Sequence, residues 1–158
     1  AFNRELTRTI GGLDHQAVLE AILTGVAKEG LIARVVKVHH TSDCAAIGQI
    51  GAEMSGSGIS IGIQSRGTTI IHKKGLARLN NLELFPQSPS LTLETYEAIG
   101  RNAAQYAKGE ATKPVGVKID NWARLKLIVK TALLHRRETE AITDEPPTEL
   151  FFDWEPEV

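Results

Sequence analysis

"SGSGISIGIQSRGTT", Ser55 to Thr69, alternates like a strand, yet one of its two faces is almost bare. Ile59, Ile61 and Ile63 share one side of the pleat; Ser60, Gly62 and Gln64 share the other, and Arg66 follows the run. The isoleucine face asks for a core. The bare face asks for something that approaches the backbone closely, and two readings stay open. Either a neighbouring element of the chain comes near, or a ligand sits against the strand. A Walker loop is excluded, because no Lys-Ser or Lys-Thr pair follows the glycines. So is a good dinucleotide fingerprint, because these glycines precede a strand instead of joining a strand to a helix.

Outward from this run, strands alternate with helices. Upstream, "LDHQAVLEAILTGVAKEG" (13–30) predicts a helix capped by Asp14, with an apolar stripe of Val18, Leu19, Ile22, Leu23 and Val26 and a stop at Gly30. "LIARVVKVHH" predicts a strand from Ile32 to Val38, and "SDCAAIGQIGAEM" a short helix opened by Ser42 or Asp43. Downstream, "TTIIHKK" is a second strand, and residues 75–89 read as a polar loop with prolines. "LTLETYEAIGRNAAQYAKG" (91–109) is a helix whose inner face holds Leu93, Tyr96, Ile99, Ala103 and Tyr106. After a linker, residues 121–142 predict a long helix with Leu125, Ile128, Val129 and Ala132 inward and Arg124, Lys126, Lys130, Arg136 and Arg137 projecting elsewhere. That basic face, with Trp122 nearby, is either solvated or docks an acidic partner. The order implies a layered α/β domain over residues 1–142 and an acidic, aromatic tail over 143–158.

The 158 residues suffice for one domain, and 18 basic against 19 acidic side chains give no global charge for nucleic acid or a membrane surface. No apolar run approaches the roughly 20 residues that cross a bilayer. One cysteine, Cys44, allows no internal disulfide and points to a reducing, cytoplasmic setting. The start at Ala1, without methionine or a signal-like segment, suggests a trimmed N-terminus.

Short catalytic patterns are absent. His15, His39, His40, His72 and His135 lack metal-ligand spacing, and adjacent His39 and His40 point to opposite faces of a strand. Asp14 and His15 do not form the Asp-x-His-x-x-Gly pattern of base-off cobalamin modules. Cys44 among alanines reads better as a small buried hydrophobe than as a nucleophile. Ser65 has no triad partners in evidence. The chain reads as a binding domain or an enzyme subunit.

Longer stretches carry a resemblance. "MSGSGISIGIQSRGTTIIHK" (54–73) and "NNLELFPQSPSLTLETYEAIGRNAAQYAKGE" (80–110) closely resemble the medium subunit of coenzyme B12-dependent diol and glycerol dehydratases. "VLEAILTGVAKEGLIARVVKV", "TSDCA" and "ALLHRRETEAI" extend the likeness from Ala1 to about Ile142. It implies a three-layer α/β/α domain with a mostly parallel mixed sheet, lacking an apolar strand that the family carries upstream of Ala1. It also implies a noncatalytic subunit that covers the nucleotide side of adenosylcobalamin. A large subunit would perform the radical chemistry on 1,2-diols or glycerol, and large, medium and small subunits would assemble as a dimer of heterotrimers. The setting would be the cytoplasm or a bacterial microcompartment within it.

By the same resemblance, Asp43 accepts hydrogen bonds from the corrin amides. Arg66, where the family usually has lysine, approaches the nucleotide phosphate or ribose. Leu79, Asn81, Leu84 and Pro86 line the benzimidazole and the nearby corrin edge. Residues 115–132 depart from the family's proline-rich text, which alters the expected subunit contact there. A second reading is the small subunit of the dehydratase-reactivating chaperone, which shares the fold but lacks the 55–69 and "NLELFPQ" stretches.

Overall fold

The computed structural model describes residues 7–87, 90–117 and 127–151. Helix α1 (His15–Lys28) buries the predicted stripe, Val18, Leu19, Ile22, Leu23 and Val26. Its Asp14 caps without a side-chain hydrogen bond, because that carboxylate pairs with Arg8 at 3.1 Å instead. Strand β1 (Val35–Lys37) is shorter than the expected 32–38. Helix α2 (Cys44–Met54) opens on Asp43, and strands β2 (Ile59–Ile63) and β3 (Thr69–Lys73) follow. A third strand, β4 (Glu83–Phe85), lies inside the stretch expected to be loop.

Helix α3 (Leu93–Ala107) is capped by Thr92, whose side chain accepts from the Thr95 N–H. Leu91 and Tyr96, at the N′ and N4 positions, both enter the core, the placement of a hydrophobic staple. That arrangement takes Leu91 inward and leaves Leu93, expected on the inner face, exposed. Helix α4 (Ile128–Glu140) precedes β5 (Thr148–Leu150). Of the inner face expected for α4, Val129 is 72% exposed and Ala132 is exposed too. Among its described side chains the buried one is Glu138. Trp122, Arg124, Leu125, Lys126 and the side chain of Ile128 lie outside the described set, as do the aromatics of the tail beyond Phe151.

The chain is α/β, but the mostly parallel sheet is corrected: every strand pair among the described residues is antiparallel. The connections give the reason. Residues 64–68 join β2 to β3 and residues 74–82 join β3 to β4, whereas a parallel pair needs a crossover of about a dozen residues or more. The sheet order is β2-β3-β4, with Ile61 opposite Ile71 and Ile70 opposite Leu84. Among the described residues β1 pairs only with β5, Val35 opposite Leu150. Between the edges of β1 and β2 lies an apolar cavity of about 420 Å³, walled also by Leu19, Leu23 and Ala104. Among the described residues the two sheets do not join.

Helices cover both faces of β2-β3-β4. On one face Val18 and Ile22 of α1 and Tyr96, Ile99 and Ala103 of α3 meet Ile71 and Phe85, with Ile59, Ile61 and Ile63 packed against them. Each of the fully buried isoleucines here contributes roughly 1.5–3 kcal/mol by leaving water. α2 lies on the other face, and it answers the bare strand. A Cβ on Gly62 would stand 2.6 Å from the Gly48 nitrogen and 2.8 Å from its Cα. Ser60 Oγ donates to the Gly48 carbonyl at 2.5 Å. The small residues belong to a helix lying directly on the strand; a ligand does not occupy that face.

Candidate functional site

The end of β2 gathers polar groups from three elements. Arg66 lies in the turn between β2 and β3, with its side chain 14% exposed. Its Nη2 donates to Gln64 Oε1 at 3.1 Å, and Gln64 Nε2 donates in turn to the Ser42 carbonyl at 2.6 Å. The chain of bonds thus reaches the residue before Asp43. Glu138, sent in from α4, is 3% exposed. Its Oε1 accepts from the Arg66 backbone N–H at 3.0 Å and stands 3.3 Å from Arg66 Nε. Among the described residues neither Arg66 Nε nor Glu138 Oε2 has a hydrogen-bond partner, although both atoms are buried. Burial pushes the Glu138 carboxyl above its ordinary range, and the Arg66 charge and backbone N–H pull it back without cancelling that effect. Arg66 Nη1 makes no hydrogen bond among the described residues.

Asp43 is exposed, and its Oδ1 accepts from the Ala45 N–H at 3.1 Å as the cap of α2. Cys44 beside it is buried, with Sγ 3.4 Å from the carbonyls of Gly62 and Thr68. Burial first, and the Asp43 charge second, push its thiol up to about 12. A thiol held there is not a nucleophile near neutral pH. His15 and His72 are buried beside backbone carbonyls, His15 Nε2 lying 2.8 Å from Ser65 O and His72 Nε2 3.3 Å from Arg78 O.

The remaining expected site residues lie along the β4 edge. Pro86 is half-buried and precedes Gln87, whose Oε1 accepts from Thr68 Oγ1 at 3.3 Å, so it belongs to the Arg66 end. Leu84 is 52% exposed between buried Glu83 and Phe85. Leu79 is 84% exposed in the β3–β4 connection, where Asn81 is half-buried. The structure thus brings Asp43, Arg66 and Pro86 to one end of the sheet and leaves Leu79 and Asn81 beyond the other, with Leu84 between. None of the six lines the apolar cavity. Sequence reasoning missed Glu138 altogether. A carboxylate within "HRRETE" carries no local sign that it will be buried 72 residues from its partner.

These residues fit a cofactor with an anionic group and a flat apolar edge in two respects. Among the described residues Arg66 retains a donor without a partner, and Leu79 and Leu84 expose apolar surface on the β4 side of the sheet. They do not fit it through Gly62 of β2, which α2 covers.

Comparison with known proteins bears on this geometry. The family model described as dehydratase medium subunit matches residues 1–113. Two solved structures are similar in fold. One is titled "Glycerol dehydratase reactivase", with a TM-score of 0.59 and 19% identity over 65% of this chain and 88% of that one. The other is a diol dehydratase-reactivating factor complexed with ADP and Mg2+, with a TM-score of 0.54 and 21% identity over 63% of this chain and 88% of that one. At such identities the likeness is one of fold. These findings correct the resemblance drawn from the sequence. It extended to about Ile142 and singled out the medium subunit of the B12-dependent diol and glycerol enzymes, whereas the matched region ends at residue 113 and these similar structures are reactivase chains.

Proposed function

The chain belongs to the dehydratase medium subunit family, and from that premise we propose that it binds one side of adenosylcobalamin in a cleft shared with a large catalytic subunit. The assembled enzyme would eliminate water from 1,2-diols or glycerol, with large, medium and small subunits in a dimer of heterotrimers. The supporting observation is the Arg66 guanidinium, fixed at the end of β2 yet retaining Nη1 as a donor. Arg66 donates to the nucleotide phosphate or ribose of the cofactor, a charge-assisted bond. Asp43 keeps Oδ1 on the α2 cap and offers Oδ2 to amide donors. Leu79, Leu84 and Pro86 give apolar surface to the benzimidazole and corrin edge, and Asn81 gives an amide. When bound, the cofactor supplies the radical chemistry. The residues of this chain bind and orient it. Among the described residues no helix is long and apolar enough to cross a membrane, and the working site is the cytoplasm or a microcompartment within it.

A second reading, the small subunit of the reactivating chaperone, draws support from the two similar folds. Mixing the chain with purified large and small dehydratase subunits separates the two. The proposal expects a stable complex and diol-dependent aldehyde formation once adenosylcobalamin is added. Assembly instead with the large subunit of the reactivating factor, and none with the dehydratase subunits, would overturn it.

A further inference from the structure

Arg66 and Glu138 meet in a way that the cofactor role of Arg66 alone does not require. A free anion-binding arginine is served best by solvent; this one is gripped. Glu138 Oε1 takes the Arg66 backbone N–H and flanks Nε, and Gln64 holds Nη2. Gln64 is itself anchored on the Ser42 carbonyl at the start of α2. Gln64 holds Nη2 and the Glu138 carboxylate stands beside Nε, so the planar fork has a fixed orientation, and Nη1 makes no hydrogen bond among the described residues. The grip is costly. It buries a carboxylate almost completely and leaves Oε2 and Nε without hydrogen bonds, in a position where a pair of apolar side chains would be cheaper. Helix α4 delivers this one buried carboxylate while exposing Val129 and Leu133.

We propose that Glu138 is the positioning residue of the cofactor site: with Gln64 it locks the Arg66 guanidinium so that Nη1 faces the anionic oxygen of the ligand. This rests on the reading of Arg66 given above. Fixing the fork before the ligand arrives removes the side-chain entropy that binding would otherwise cost. Glu138→Gln is the informative variant, because its amide oxygen still accepts from the Arg66 backbone N–H while its charge is gone.

The test is adenosylcobalamin titration of the assembled complex, followed by absorbance, with assembly checked by size exclusion. The expected result is several-fold weaker binding for Glu138→Gln and a ten- to hundred-fold loss for Arg66→Ala. The double variant should be no weaker than Arg66→Ala alone. A corrinoid lacking the nucleotide phosphate should bind the wild-type and Glu138→Gln complexes equally. If Arg66→Ala does not assemble, the charge-balanced double variant takes its place. An unchanged affinity for Glu138→Gln beside a large loss for either Arg66→Ala variant overturns this inference and leaves the role of Arg66 standing. Losses that add fully in the double variant, or that extend equally to the phosphate-free corrinoid, overturn it too. No loss on removing Arg66 overturns both.

Discussion

At the scale of single residues, Gly62 of β2 is explained by packing and Arg66 by charge. Gly62→Ala places a Cβ against the backbone of Gly48, which cannot turn aside as a side chain would. Overpacking of this kind costs about 1–3 kcal/mol, and the expected outcome is a lower urea midpoint for the full chain at an unchanged slope. Arg66→Ala strands the Glu138 carboxylate in the interior, so it should destabilise by about 3–5 kcal/mol. The double change Arg66→Ala/Glu138→Gln should recover much of that loss, and thermal melting of the two variants measures it. His15 gives a third expectation. Burial lowers its pKa beneath the ordinary 6.5, outweighing the hydrogen bond to Ser65. Above 6.5 it is neutral in both folded and unfolded chains. As pH falls below that value the unfolded chain takes up the proton first, so stability declines toward the lower folded pKa. Urea midpoints between pH 7.5 and 5 should therefore fall, and His15→Gln should flatten the decline.

At the scale of elements, the N-cap of α2 separates structural from binding roles. Asp43→Ala removes the acceptor for the Ala45 N–H and should cost about 0.5–2 kcal/mol, whereas Asp43→Asn keeps an acceptor and should cost little. Melting temperatures of the two variants check this, and cofactor affinity at two salt concentrations checks the amide role, whose neutral partners predict little salt dependence. The elements that the sequence made legible are those whose signal is local. The stripe of α1 repeats at helical spacing, and β2 and β3 alternate about the short turn at Gly67. β4 was hidden because the three residues Glu83–Phe85 carry too little pattern, and its hydrogen bonds come from β3. β5 was hidden because its partner, β1, lies at the other end of the chain. The inward face of α4 was misjudged for a related reason: hydrophobic periodicity pointed to Val129 and Ala132, but a long-range ion pair took Glu138 inside. Parallel pairing was an inference from resemblance that the short connections of β2-β3-β4 do not permit.

At the scale of the whole molecule, the candidate site is an edge and not an enclosure. The apolar cavity lies beside β1 and β2, while Arg66 and Pro86 stand at one end of the β2-β3-β4 sheet and Leu84 is exposed on β4, and none of the three lines that cavity. A ligand seated on such an edge keeps one face in water until another subunit closes over it, yet it loses as much translational freedom as in a full cleft. The chain by itself should therefore show no diol-dependent aldehyde formation and little affinity for the cofactor. The most direct measurement is calorimetric titration of adenosylcobalamin into three samples at equal concentration: the chain alone, the large and small subunits without it, and the assembled complex. The account predicts strong binding in the complex, weak binding in both partial samples, and a ten- to hundred-fold loss when the complex carries Arg66→Ala, the equivalent of a charge-assisted hydrogen bond of roughly 1.5–3 kcal/mol. Submicromolar binding to the chain alone, or full affinity in the sample that lacks it, would contradict the shared cleft.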